Sequence, residues 1–87
     1  MHFVYIVRCA DGTLYTGYAR DPSAREKVHN LGRGARYTSG RRPVSLVYTE
    51  AFATRSRALK REYEVKGWSR VRKEQLIRSR PNGYRAL

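Results

Sequence analysis

Apolar and aromatic side chains are concentrated in two short runs near the start of the chain. Residues 3–9 and residues 14–19 are both rich in β-branched and aromatic side chains, which favour extended structure. Between the two runs lie Asp11 and Gly12, a pair typical of hairpin turns. This pattern predicts two antiparallel strands joined by a tight turn.

The rest of the chain alternates helical and extended patterns. The predicted elements are a helix over residues 22–31, a basic, glycine-containing loop over 32–43 with room for one short turn of helix, a strand over 44–52, and helices over 55–66 and 70–79. Asp21, Thr54 and Ser69 precede the three helices and are good N-terminal caps. Glycines and a proline follow the helices and are typical of helix ends.

This order predicts an α/β fold, a small three-stranded antiparallel sheet flanked by helices. A sheet of three strands needs helices on at least one face to make a core. A chain of 87 residues fits a single domain, which we assign to residues 1–80, with a tail over residues 81–87. So small a domain favours a shallow groove, which suits a long polymer better than an enclosed metabolite.

The charge of the chain points to a polyanionic partner. Nineteen Lys and Arg against seven Asp and Glu give a net charge of +12, and arginines predominate. Nucleic acid is the partner we expect, because the guanidinium fork suits phosphate. A basic protein with solvated charges, or a ribosomal or RNA-binding module, would have the same composition.

The single cysteine and the short N-terminal apolar run argue against disulfides, cysteine metal clusters and membrane segments. Cys9 is the only cysteine, so neither an internal disulfide nor a cysteine metal cluster is expected. The first apolar run is too short for a signal peptide or a membrane span. We therefore expect a cytoplasmic protein without a membrane or a small-molecule cofactor, and a protein partner remains open.

A carboxylate lies on the apolar side of the helix predicted over Arg55–Lys66. Helical spacing puts Glu62 on one face with Ala58 and Val65. An inward carboxylate is costly unless it is paired or binds a metal. Mg²⁺ or Mn²⁺ commonly takes only one or two protein carboxylates. A salt bridge to a nearby arginine is the competing interpretation.

Two further groups of side chains could act on phosphate. Arg25 and His29 are four residues apart on a predicted helix, where an arginine can bind phosphate oxygens and a histidine can move a proton. A solvated polar face is the alternative. Tyr5, Tyr15 and Tyr18 lie in the predicted hairpin, where tyrosine usually packs but a phenol can also act as a base or nucleophile.

Taken together, these residues resemble the GIY-YIG nuclease family, in particular its small single-domain branch related to the excision-repair nuclease subunit. Phe-Val-Tyr at residues 3–5 and Tyr-Thr-Gly at residues 15–17 stand where the family has its two triplets. The positions of the family's arginine, of its histidine or tyrosine, and of its glutamate fall on Arg25, His29 and Glu62. The resemblance covers residues 3–77. The first triplet keeps only the tyrosine, and Tyr18 stands where some members have lysine.

The resemblance implies a metal-dependent endonuclease that hydrolyses phosphodiester bonds in DNA, with single-stranded or structured DNA as plausible substrates. Glu62 would hold Mg²⁺ or Mn²⁺, Arg25 would neutralise the pentavalent phosphorus, and Tyr5 would deprotonate or orient water. Tyr15 and His29 would position the phosphate and assist proton transfer, and the sequence does not decide which tyrosine is the base. The residues expected to bind nucleic acid are Tyr18, Asn30, Arg33, Arg36, Arg41 and Arg42. A non-catalytic nucleic-acid-binding module, or a recruiter of a separate nuclease, is the alternative.

A shared site requires a particular turn. A two-residue turn would pair Tyr5 with Tyr18 and put Tyr15 on the opposite face of the sheet. A three-residue loop, with Gly12 in the left-handed region, pairs Tyr5 with Gly17 and puts both tyrosines on one face. We predict the three-residue loop, in which Gly17 would leave room for a phosphate beside Tyr5.

Overall fold

The computed structural model of the chain describes residues 1–79, so the predicted tail at 81–87 lies outside the described part. The elements are β1 (His2–Arg8), β2 (Leu14–Ala19), α1 (Pro22–Asn30), α2 (Arg36–Ser39), β3 (Ser45–Phe52), α3 (Arg55–Lys66) and α4 (Arg70–Ser79). The predicted α/β class and the predicted order of strands and helices are confirmed. The short helix α2 lies within the stretch predicted as a loop with one helical turn.

The three strands form one antiparallel sheet in the order β2-β1-β3. Tyr5 pairs with Gly17 and Val7 pairs with Tyr15, as the three-residue loop requires. The Cys9 amide donates to the Thr13 carbonyl at 2.8 Å, and Gly12 has a φ of +86°. The predicted register is therefore confirmed, and Tyr5 and Tyr15 share one face of the sheet.

The helices begin where capping side chains are available. Asp21 accepts from the Ala24 amide at 3.1 Å, and Thr54 accepts from the Arg57 amide at 3.2 Å. Ser69 caps α4 in the same way. These bonds satisfy amides that have no partner within the helix. Helix α1 ends at Asn30, one residue earlier than predicted.

Helices cover both faces of the sheet. On the face that carries Tyr5 and Val7, which we call the Tyr5 face, α1 packs through His29. On the opposite face, Ile6 packs with Val65 of α3 and Leu76 of α4. The central strand β1 is buried on both sides, whereas β2 forms an edge of the sheet. The edge strand β2 thus has α1 on one side of the sheet and α3 on the other.

Candidate active site

Two side chains of α1 form hydrogen bonds with the backbone of the third strand and of the residue before it. A carboxylate oxygen of Glu26 accepts from the Leu46 amide at 2.6 Å. The Asn30 side chain accepts from the Val44 amide at 2.7 Å and donates to the Val44 carbonyl at 3.0 Å. These bonds fix the position of α1 over the Tyr5 face. They also occupy the Asn30 amide, which the sequence assigned to nucleic-acid binding.

His29 is fully buried and hydrogen-bonded through both ring nitrogens. Its Nε2 lies 2.7 Å from the Tyr5 hydroxyl, and its Nδ1 lies 2.8 Å from Thr38 Oγ1. Thr38 donates its one hydroxyl hydrogen to the Ala35 carbonyl at 3.0 Å. Thr38 must therefore accept from His29, so the imidazole hydrogen is on Nδ1. In the neutral ring, Nε2 then accepts the hydrogen of the Tyr5 hydroxyl.

The neutral ring is the form that its surroundings favour. Burial lowers the pKa of His29 below its usual 6.5, and the positive charge of Arg25 lowers it further. An imidazolium at this position would be poorly solvated and would face a second cation. At neutral pH, His29 is therefore available as a proton acceptor.

Two glycines give these rings their space. A Cβ on Gly17 would lie 2.5 Å from Cζ and Oη of Tyr5, and a Cβ on Gly34 would overlap the His29 ring. The Tyr5 ring therefore lies directly over the backbone of the edge strand β2. The prediction that Gly17 leaves room for a phosphate was wrong, because the phenol of Tyr5 itself fills that space.

The Tyr5 hydroxyl is the point at which the predicted catalytic groups converge. Burial raises the pKa of Tyr5 to about 12, and the nearby Tyr15 and Glu62 add to the rise. The Arg25 guanidinium beside the phenol opposes it. Tyr15 contacts the His29 ring edge-on, with a centroid distance of 5.3 Å. The structure thus groups Tyr5, Tyr15, Arg25 and His29 around this hydroxyl, with Glu62 near enough for its charge to act on the phenol.

Glu62 is the carboxylate of this cluster. Its side chain is 17% exposed, and it pairs with Lys66 one turn along α3, at 3.2 Å. The competing interpretation from the sequence was an ion pair with arginine, and the partner is a lysine instead. Within residues 1–79, no three His, Cys, Asp or Glu residues are grouped. A single reachable carboxylate fits a hard divalent ion that keeps most of its water ligands.

Four of the other residues expected to bind nucleic acid lie in the stretch around α2, and the fifth, Tyr18, lies in β2. Arg33 and Arg36 are exposed. Arg41 pairs with Asp11 at 3.1 Å, and Arg42 donates to the Ser39 carbonyl at 2.8 Å. Tyr18 lies on the face opposite Tyr5, where its hydroxyl is 2.7 Å from His2 Nδ1. Arg41 also lies 4.0 Å from the centre of the Tyr37 ring, which stacks on Tyr15, so it borders the cluster around Tyr5.

Sequence reasoning missed three residues around the cluster. Thr38 fixes the His29 tautomer, Gly34 makes space for the ring, and Tyr37 stacks on Tyr15 at a centroid distance of 6.0 Å. All three lie in the stretch treated as a basic loop. The glycines of that stretch are a visible signal, because a loop glycine fits a helix end and a close approach of side chain and backbone equally well.

The fold and the cluster define a small α/β domain with a buried tyrosine–histidine pair beside an arginine and near a carboxylate. Residues 1–75 match the GIY-YIG catalytic domain. UPF0213 proteins of Staphylococcus aureus strains Mu50 and N315 are each 61% identical over 79 residues, which cover 91% of this chain and 96% of each relative. The chain belongs to the GIY-YIG family, which is a family of nucleases.

Two solved structures are also similar to the chain. The solution NMR structure of a UPF0213 protein from Bacillus halodurans is 49% identical, with a TM-score of 0.61, and the match covers 94% of this chain and 87% of that one. A solution NMR structure from E. faecalis is 44% identical, with a TM-score of 0.60 and coverage of 90% and 83%. Within residues 1–79, no helix has the length and apolar character of a membrane span.

Proposed function

We propose that this protein is an endonuclease that hydrolyses phosphodiester bonds in DNA with the help of Mg²⁺ or Mn²⁺. The observation that carries the proposal is the buried hydrogen bond from Tyr5 to neutral His29, with Arg25 and Glu62 beside the phenol. A phenol, a base, a fixed cation and a carboxylate are the groups that phosphodiester hydrolysis needs in one place.

Each residue has a separate role in this proposal. Arg25 binds the non-bridging oxygens of the scissile phosphate and stabilises the charge that develops on them. Glu62 holds the divalent ion, which supplies Lewis-acid stabilisation of charge and lowers the pKa of water when it is bound. Tyr15 packs against the His29 ring and limits its movement. Tyr5 orients the attacking water.

The pKa values decide how the proton moves. Burial raises the pKa of Tyr5 to about 12 and lowers the pKa of His29 below its usual value. Forming tyrosinate and imidazolium beforehand is therefore strongly disfavoured. Tyr5 must instead pass its hydrogen to His29 Nε2 while it takes a proton from the water.

The resulting step is balanced. The water oxygen forms a bond to phosphorus, one water proton goes to Tyr5 Oη, and the Tyr5 proton goes to His29 Nε2. The ester bond breaks with its electron pair on the leaving oxygen, which takes a proton from solvent. His29 then returns its proton to solvent. The products are an alcohol and a phosphate monoester.

A nucleic-acid-binding module without activity is the second candidate. The ion pair between Glu62 and Lys66 favours it, because the carboxylate already has a cation. The net charge of +12 supports binding in either case. For both candidates, log affinity should fall with log salt by about 0.7 per phosphate contact for single strands and 0.9 for duplex.

Cleavage by matched variants separates the two candidates. Purified protein would be given single-stranded, duplex and branched DNA, with RNA controls, in Mg²⁺, in Mn²⁺ and in EDTA. We expect cutting only with a metal and none with Glu62→Gln, while binding in EDTA persists. Glu64→Gln is the matched control, because Glu64 lies on the same helix but is exposed and pairs with Arg61. Cutting by Glu62→Gln at the wild-type rate would refute the metal assignment.

A further inference from the structure

A small cavity lies beside the candidate active site, at the hairpin end of the molecule. Its volume is about 190 Å³, and it is lined by Thr13, Leu14, Tyr37, Arg70 and Lys73. The lining comes from the hairpin, from α2 and from the first turn of α4. We call it the Lys73 cavity. None of the roles proposed above for catalysis uses it.

On one side, aromatic contacts connect the Lys73 cavity to the catalytic cluster. Tyr37 in the cavity wall stacks on Tyr15, with a centroid distance of 6.0 Å and an interplanar angle of 27°. Tyr15 in turn contacts His29 at 5.3 Å, and His29 holds the Tyr5 hydroxyl. Only the Tyr15 ring therefore separates the Tyr37 side of the cavity from His29.

On the other side, charged residues make the same connection. The Lys66 ammonium lies close enough to Lys73 to lower its pKa, and Lys66 is the partner of Glu62. The cavity and the catalytic cluster are therefore linked through α2 and the hairpin on one side and through α3 and α4 on the other. A strand of nucleic acid with one phosphate at Tyr5 would have a flanking phosphate within reach of this cavity, since three aromatic contacts of 5.3 to 6.0 Å separate the two places.

Lys73 is the residue that makes the cavity a binding site. Its side chain is half-buried, and among residues 1–79 no carboxylate lies within ion-pairing distance. Burial lowers its pKa, with the positive charge of Lys66 as a second cause. A half-buried ammonium in such surroundings is stabilised by an anion.

A second cation borders the same space. Arg70 donates to the Gly12 carbonyl at 2.9 Å and lies 3.7 Å from a Glu74 carboxylate oxygen. That carboxylate is already bound by the fork of Arg8 at 2.8 Å, so it neutralises Arg70 only in part. The lining named above contains two cations and no acid.

We propose that the Lys73 cavity binds a phosphate group of the nucleic-acid strand next to the one that is cut, with Lys73 and Arg70 as its cationic contacts. This inference rests on the proposed function. The cavity positions the strand along the edge of β2, so that the scissile phosphate reaches Tyr5 and Arg25. The nucleic acid is bound through its backbone, without a requirement for a particular base.

Binding in EDTA tests the cavity without any cleavage. The probe is a single-stranded oligonucleotide, and the variants are Lys73→Gln, Lys73→Arg and, as the control, Lys60→Gln at an exposed lysine of α3 outside the cavity. We expect Lys73→Gln to weaken binding about tenfold and to lower the salt slope by about 0.7. Lys73→Arg should retain both values. Equal losses for Lys73→Gln and Lys60→Gln would overturn the proposal.

A change in the nucleic acid tests the same contact. In Mg²⁺ or Mn²⁺, single phosphates that flank the cut would be replaced one at a time by neutral methylphosphonates. One flanking position should slow cleavage by the wild-type protein and have little effect on Lys73→Gln. If no flanking position affects the wild-type protein, the cavity is not a phosphate site, even where the lysine variants fold poorly.

Two further results distinguish this proposal from the proposed function and from binding of free phosphate. Lys73-dependent binding in EDTA, with no cutting of any substrate, would refute the proposed function and leave the cavity as a phosphate site. Inorganic phosphate is the competing source of the same chemistry. If it binds in a Lys73-dependent way while Lys73→Gln leaves oligonucleotide binding unchanged, the cavity serves the free ion and the proposal is overturned.

Discussion

The close packing of Tyr5 on Gly17 makes Gly17→Ala a sharp test of the site. The added Cβ would lie 2.5 Å from Cζ and Oη of Tyr5, where an ordinary contact is 3.4 Å or more. The ring must therefore move by roughly 1 Å. It has little freedom to do so, because Tyr5 is 1% exposed and its hydroxyl is bound to His29.

Movement of the Tyr5 ring should lower both the free energy of unfolding and the activity. Forcing an extra carbon into a packed core costs about 1–3 kcal/mol. For a domain of this size, each kcal/mol lowers Tm by roughly 4–8 °C. A catalytic group displaced by about 1 Å loses activity by about 100-fold. Gly17→Ala should therefore remain folded at low temperature, with a lower Tm and a kcat reduced by about two orders of magnitude.

A double-mutant cycle assigns the effect to the Tyr5 ring. Tyr5→Leu removes the far end of the ring, so adding Gly17→Ala to it should cost much less stability than in the wild-type background. Activity should not return, because the phenol is gone. Gly40→Ala is the control, since a Cβ there meets nothing within 4 Å. If Gly17→Ala has wild-type Tm and kcat, the described packing of Tyr5 is incorrect.

Arg25→Ala should lower kcat more than affinity, whereas Arg57→Ala, at an exposed arginine of α3 with no proposed role, should change kcat and affinity only slightly; a change in affinity alone would move Arg25 to the binding surface. Thr38→Val should allow the His29 hydrogen to occupy either ring nitrogen, which the nitrogen NMR shifts of the ring would show, and should lower kcat about tenfold or more. Thr38→Ser should keep the hydrogen on Nδ1 and the wild-type kcat. Because the pKa of His29 is lowered from 6.5, the unfolded chain takes up a proton below pH 6.5 that the folded chain refuses. Stability should therefore fall as the pH drops below 6.5, whereas kcat should fall only at the lower pH where the folded His29 takes up a proton, and His29→Gln should remove that inflection in kcat.

The hairpin shows how far local sequence rules reach. Residues 10–12 allowed two turn lengths, and the left-handed preference of Gly12, together with the need for two tyrosines on one face, selected the one that the structure has. The three helix caps followed from side-chain chemistry at Asp21, Thr54 and Ser69. These features depend on residues close in sequence, so a pattern can predict them.

The contacts that define the site are of a different kind. His29 meets Tyr5 across 24 residues of chain and Thr38 across nine, and neither contact leaves a periodic signal. At Gly17, the predicted strand register is correct, but the predicted space for a phosphate is absent. Pairing placed it opposite Tyr5, but only the side-chain rotamer decides whether the phenol or a ligand fills the space above it. Rotamers in a buried cluster depend on all the neighbouring residues at once.

The ion pair between Glu62 and Lys66 is only a weak argument against a metal at Glu62, because such a pair is easily broken. Pairs of this kind, one helical turn apart and partly exposed, contribute only about 0.3–0.5 kcal/mol, which is about a twofold effect on a competing equilibrium. The Lys66 side chain is 50% exposed, so it can leave without exposing apolar surface. If Glu62 holds a divalent ion, as proposed, Lys66 would lose its partner and become an unpaired cation near Lys73. The pair with Lys66 would then neutralise the carboxylate before the metal binds, and metal binding would leave a further positive charge for the proposed strand at the Lys73 cavity.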